Sequence, residues 1–153
     1  KIKTYFIDKK IDTAQLEKLL NYHENDNFNE LRDEAFKGNR VNTNNLLDST
    51  MFETDKSVYY LSLLSQRLIK LDEINSLKEG SNIEDGINKI KPPIFWKDKP
   101  NIIEQMKKWK TKKIKRALKY IYDLEIRVKS SSIIKKEILI RKLIVDLCIL
   151  ANA

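Results

Sequence analysis

The chain has 153 residues, of which 41% are hydrophobic, enough to build a core and to exclude wholesale disorder. Only 3 Gly and 3 Pro occur, which argues against a turn-rich all-β fold and for long helices. With 30 basic and 22 acidic residues the formal net charge is +8, and the single cysteine, Cys148, excludes an internal disulfide framework.

Several chemistries fail on composition. One His and one Cys cannot make a zinc site with the usual Cys/His ligands. Gly38, Gly80 and Gly86 fit no phosphate-cradling P-loop, and no Gly-x-Ser-x-Gly elbow exists. The most apolar stretch, Ile138 to Leu150, is short for a membrane span and carries Arg141, Lys142 and Asp146. No secretory signal is visible. The first residue is Lys1 rather than Met, as expected of a fragment or processed chain.

Helical signals run along most of the chain. Residues 1–10 fit either a strand or the end of a helix. Asp12 and Gln15 form a capping box, with Ile11 and Leu16 as a hydrophobic staple, for a helix to about Tyr22. Asn27 is expected to cap a helix carrying Phe28, Leu31, Ala35 and Phe36, with Gly38 as its stop. A third helix is expected over Val41 to Phe52, against the weak propensity of its asparagines. Leu61, Leu64, Leu68 and Leu71 alternate spacings of three and four, predicting a long helix to about Glu79 that Gly80 ends. Ser81 and Glu84 predict a short capped helix to about Ile90.

Pro92 and Pro93 break the pattern. Pro100 suits the first turn of a helix reaching about Lys110. Thr111 is expected to cap a helix to about Lys129, followed by a serine turn and a last helix from about Ile133 to Leu150. The fold class is all-α, in two helical groups. Residues 1–54 form a small domain of short helices and residues 55–153 hold the longer helices and most of the apolar stripe.

Two surfaces stand out as candidates for binding. Between Lys91 and Lys119, eleven basic residues accompany only two acids, Asp98 and Glu104. That excess of +9 exceeds the chain's total, so the remainder is close to neutral. Lys107, Lys108 and Lys110 lead into a helix on which Lys112, Lys115, Arg116 and Lys119 share one face, opposite Ile114, Leu118, Ile121 and Val128. A basic stripe opposite a buried one suits phosphate contact, and Trp109 is placed to stack on an unpaired base. The competing reading is a solvated surface in a lysine-rich protein.

The second surface is the last helix. Its apolar residues, Ile140, Leu143, Ile144, Leu147 and Leu150 among them, leave only a narrow polar strip. Such a helix must be covered on nearly every side, so these five residues are candidates for a subunit interface. Cys148 reads as a small core residue. His23 sits in a polar turn without a pocket, and Asp33 and Glu34 point to different parts of a helix surface, so no catalytic pair is visible. Phe95 and Trp96 read as anchors for the linker after the prolines. A hydrolase split across the two groups lacks a convergent nucleophile and base.

Three stretches carry a family resemblance. IDTAQLEKLL with FNELRDEAFKGN is the first, and VYYLSLLSQRLIKLDEI the second. The most specific is KPPIFWKDKPNIIEQMKKW followed by KIKRALKYIYDLEIRVKSS, with its Pro-Pro-aromatic-aromatic-Lys segment, its helix ending in Trp and its Lys-Ser turn. Together they resemble the C-terminal part of the delta subunit of the bacterial DNA polymerase III clamp loader. The resemblance covers nearly all of this chain and about the second half of a full subunit. It implies a small AAA+ lid-like helical domain followed by a helical collar domain. It further implies a non-hydrolysing assembly subunit without a cofactor, in the bacterial cytoplasm at the nucleoid. The implied partners are the delta-prime and gamma or tau subunits, with primer–template DNA enclosed by the loader. The sliding clamp would be reached only through a domain upstream of Lys1. The lysine density beyond residue 106 is not specified by the family pattern. The alternative is a stand-alone nucleic-acid-binding helical module using residues 107–119.

Overall fold

The computed structural model describes residues 26–130 and 133–153. The expected helix at Asp12 to Tyr22, the segment 1–10, His23, Ser131 and Ser132 lie outside the described residues. Among those described, every regular element is helical, as the scarcity of Gly and Pro predicts.

Helix α1 covers residues 26–37. It already includes Asn27, the expected cap. Phe28, Leu31, Ala35 and Phe36 are all buried, at the three- and four-residue spacing of one helix face. The helix closes with a Schellman motif. Gly38 N–H donates to the Ala35 carbonyl (3.0 Å), and Asn39 N–H donates to the Glu34 carbonyl (3.1 Å). Gly38 takes a φ of 75°, which explains why glycine stands there. Asn39 then caps α2, Arg40–Ser49, its side chain accepting from Asn42 N–H. Helix α2 is shorter than expected.

After a 3-10 turn at Thr54–Lys56 comes α3, Ser57–Leu77. Leu61, Leu64, Leu68, Leu71 and Ile74 of α3 are all at 0% exposure. This is the central helix, packed on each of the four helices that follow it in the chain. Helix α4, Ile83–Lys89, is capped by Asn82, whose side chain accepts from Glu84 N–H, and not by Ser81. Helix α5 is Lys99–Lys108, with Pro100 in its first turn. Helix α6 is Thr111–Lys129, with Lys110 in the cap position and Thr111 as its first residue. Helix α7 is Lys136–Asn152, starting three residues later than expected.

One hydrophobic core runs from Phe28 to Ala151. It draws on both sides of the boundary expected near residue 55, so no break in the core separates the described residues there. Phe28 stacks on Tyr60 (centroids 4.7 Å apart), and Phe52 meets Phe28 edge-on at 6.2 Å. Arg141 of α7 lies over the Phe52 ring and donates to the Leu47 and Thr50 carbonyls, tying α7 to the C-terminal end of α2. Cys148 is buried, and the Thr43 hydroxyl points at its sulfur from 3.7 Å.

Candidate nucleic-acid and subunit surfaces

Helix α6 buries Ile114, Ala117, Ile121, Leu124 and Val128 against the core. A residue buried every three or four positions fixes the rotation of the helix, so Lys112, Lys115, Arg116 and Lys119 must face outward, and all four are exposed. They span eight residues, about 10 Å of helix. Lys107, Lys108 and Lys110 are exposed just before them. The stripe ends one turn beyond Lys119, at Asp123.

Some cations elsewhere are paired within their own helix. Lys89 meets Asp85 (2.9 Å), Lys129 meets Glu125 (2.5 Å), and Lys142 meets Asp146 (3.0 Å), each one helical turn away. The seven basic residues of the candidate stripe have no carboxylate partner among the described residues. Arg116 instead donates to the Tyr120 hydroxyl (2.9 Å), and Lys108 to the Asn152 side chain (3.1 Å). Lys113 is occupied otherwise. It caps the end of α7, donating to the Ala151 and Ala153 carbonyls.

Trp109 is a correction. Its side chain is at 0% exposure, its indole N–H donates to the Phe36 carbonyl (2.8 Å), and its ring packs edge-on against Phe36. It cannot stack on a base. The amphipathic indole needed one buried acceptor, and the end of α1 supplies it.

The five interface candidates of the last helix are also corrected. Ile140, Ile144 and Leu147 are at 0% exposure, Leu143 at 5% and Leu150 at 7%, all within this chain. The sequence count of available helices underestimated the enclosure, because α2, α3 and α6 all pack on α7. What α7 leaves outside is Ile138, Lys142, Ile149 and the terminal Asn152, with Val145 half-buried. Beside this strip, a groove of about 570 Å³ separates α6 from α7. Leu124, Leu139 and Leu143 line its floor, and Arg116, Arg127 and Lys142 stand among the charged residues along it.

Phe95 and Trp96 were expected to anchor the linker. They are 63% and 68% exposed, and Ile94 is the buried anchor instead. Their rings lie 5.9 Å apart, and the Lys97 ammonium sits 5.3 Å from the Trp96 ring centroid. Two residues on, Asp98 is held by Arg67. The pair therefore stands on a turn fixed at both ends. Hydropathy alone could not find this surface, since it assigns bulky aromatics to the core.

Among the described residues no group of His, Cys, Asp and Glu is placed to hold a metal ion. No described helix is long and apolar enough to cross a membrane. No family model, no curated protein and no solved structure matches the chain.

Proposed function

We propose that this chain is the C-terminal part of a clamp-loader delta subunit, an assembly module without hydrolytic activity that joins delta-prime and gamma or tau subunits in the bacterial cytoplasm. In this reading residues 1–54 belong to the lid-like part and residues 55–153 to the collar, and the described residues of both share one core. The observation that carries it is the exposure of Phe95 and Trp96 inside the most specific stretch of the resemblance. The rest of that stretch is invested in the fold, with Ile94, Ile102, Met106 and Trp109 all buried. Two adjacent large aromatics on a fixed turn favour a protein contact, because Trp and aromatic anchors concentrate in the centres of interfaces. The outer strip of α7, Ile138 and Ile149, adds apolar surface of the same use.

The test is light scattering after size-exclusion chromatography of the chain mixed with its cognate ATP-binding loader subunit and delta-prime. A stoichiometric complex is expected. The double substitution Phe95→Ser with Trp96→Ser should abolish it while the circular dichroism spectrum stays unchanged. Normal assembly by that folded variant overturns the assignment of this surface, and separate elution of the unmodified chain overturns the assembly reading.

A further inference from the structure

We infer that a second copy of this chain covers the face formed by α6 and α7, the apolar ridge of each copy seating in the groove of the other. The ridge is the outer strip of α7. Ile138, Val145 and Ile149 recur at spacings of seven and four, so they stand on one line of the helix, with Lys142 between them. Ile138 is 54% and Ile149 48% exposed. The groove lies directly beside this ridge, with Leu124, Leu139 and Leu143 on its floor. Helices associate by packing the ridges of one surface into the grooves of another. A ridge and a groove side by side make one face complementary to itself, which is the condition for a two-fold pair.

The charges select a second copy over an unrelated partner. Lys113, at the start of α6, donates to the Ala151 carbonyl at the end of α7, and the groove runs on to Arg127 and Leu139 at their other ends, so the two helices are antiparallel. Counting along both helices from the Lys113 contact puts Asp123 level with Lys142 and Lys119 level with Asp146, each within one residue. A two-fold axis parallel to the helices keeps every residue at its level and sets α6 of one copy against α7 of the other. Asp123 then meets the partner's Lys142, and Lys119 meets the partner's Asp146, each pair occurring twice. Asp123 and Lys119 have no ion pair among the described residues, and Lys142 and Asp146 hold only each other, at the surface. A peptide of one sign would match half of these charges and oppose the rest. The 17 residues of α7 make the face about 25 Å long. Two helices make it about 20 Å wide, so the pair covers about 1,000 Å² in total, the lower end of specific interfaces. The dimer is therefore weak and concentration-dependent, in the micromolar range or above. The inference goes beyond the assembly reading and does not rest on it, because Phe95 and Trp96 do not line the groove.

The experiment is sedimentation equilibrium of the whole chain alone, from about 5 to about 500 µM, which brackets a micromolar dissociation constant. A monomer–dimer equilibrium is expected. Asp123→Lys sets like charges together at both symmetric contacts and should weaken the dimer about tenfold, and Lys142→Asp should do the same. Both positions are exposed, so the fold is not at stake. An equal mixture of the two variants should recover the original affinity, because each contact of the mixed pair again joins opposite charges. Glu73→Lys, the same change of charge on the exposed surface of α3, should leave the dissociation constant unchanged, and so should Phe95→Ser with Trp96→Ser. The inference is overturned by a chain that stays monomeric throughout, by a dimer indifferent to Asp123→Lys, or by a mixture that stays dissociated. Loss of the dimer in Phe95→Ser with Trp96→Ser overturns it by moving the contact to that turn. A chain monomeric alone whose assembly with the loader subunits is lost in Asp123→Lys assigns the groove to them and also overturns it.

Discussion

Arg67 grips Asp98 through two parallel hydrogen bonds, Nη1 to Oδ2 at 2.8 Å and Nη2 to Oδ1 at 2.9 Å. Nη2 of the same guanidinium also lies 3.0 Å from Asp33, which Arg32 and Gln105 contact as well. One buried arginine thus ties α3 to α1 and to the turn that carries Phe95 and Trp96. Removing the carboxylate leaves half of the Arg67 fork without a partner while Asp33 remains. Asp98→Ala should therefore cost about 1–3 kcal/mol, less than the complete loss of a buried pair. Urea unfolding measures this, and a double-mutant cycle with Arg67→Met isolates the pair. A coupling near zero would mean that the bidentate contact contributes nothing net.

The same contact makes stability depend on pH. Burial by itself would raise the Asp98 carboxyl, but the hydrogen bonds and charge of Arg67, with Arg32 and Asn101, hold it below its ordinary value. Glu34 behaves alike, burial being outweighed by Lys37, Asn42 and Asn39. For both groups the unfolded chain binds protons more readily than the folded one. Their contribution is complete above the ordinary carboxylate range of about 4, and is lost as pH falls through the lower folded values. Urea midpoints should therefore fall on acidification below about pH 4–5. In Asp98→Asn that fall should be shallower, because one of the two groups no longer titrates. An identical acid profile in the variant would show that Asp98 is not among the groups responsible.

Periodicity was the strong signal and enclosure the weak one. The spacing of Leu61, Leu64, Leu68 and Leu71 places α3, and all four are fully buried. The outward face of α6 follows from the same arithmetic, because the apolar face fixes the helix rotation. Which apolar residues stay covered within one chain is a property of tertiary packing. Ile144 and Ile149 belong to one helix and have similar hydropathy, yet one is at 0% exposure and the other at 48%. Trp109 and Trp96 divide in the same way. The difference depends on whether an acceptor such as the Phe36 carbonyl waits nearby, and no local pattern encodes that.

Gly86 shows close packing overriding helix propensity. A Cβ at this position would stand 2.6 Å from the Ile74 carbonyl oxygen and 2.9 Å from its Cγ2. Alanine is the better helix former by about 1 kcal/mol. The contact is with backbone, which cannot swing aside, so α4 must shift away from α3. Gly86→Ala should destabilise by about 1–3 kcal/mol, the usual cost of overpacking. Thermal unfolding distinguishes the outcomes, since a raised midpoint would mean that α4 yields freely.

Trp109 belongs wholly to the fold. Asn75 donates to its backbone carbonyl (3.1 Å) while its indole reaches the Phe36 carbonyl, so it joins the ends of α1 and α5 to the middle of the bundle. Trp109→Phe keeps most of the apolar volume but leaves a buried carbonyl without its donor. The expected cost is about 1–3 kcal/mol. Trp109→Ala adds a cavity, for about 3–5 kcal/mol in all. Urea unfolding of the two variants measures both costs. A Trp109→Phe protein as stable as the unmodified chain would mean that the indole hydrogen bond contributes nothing net.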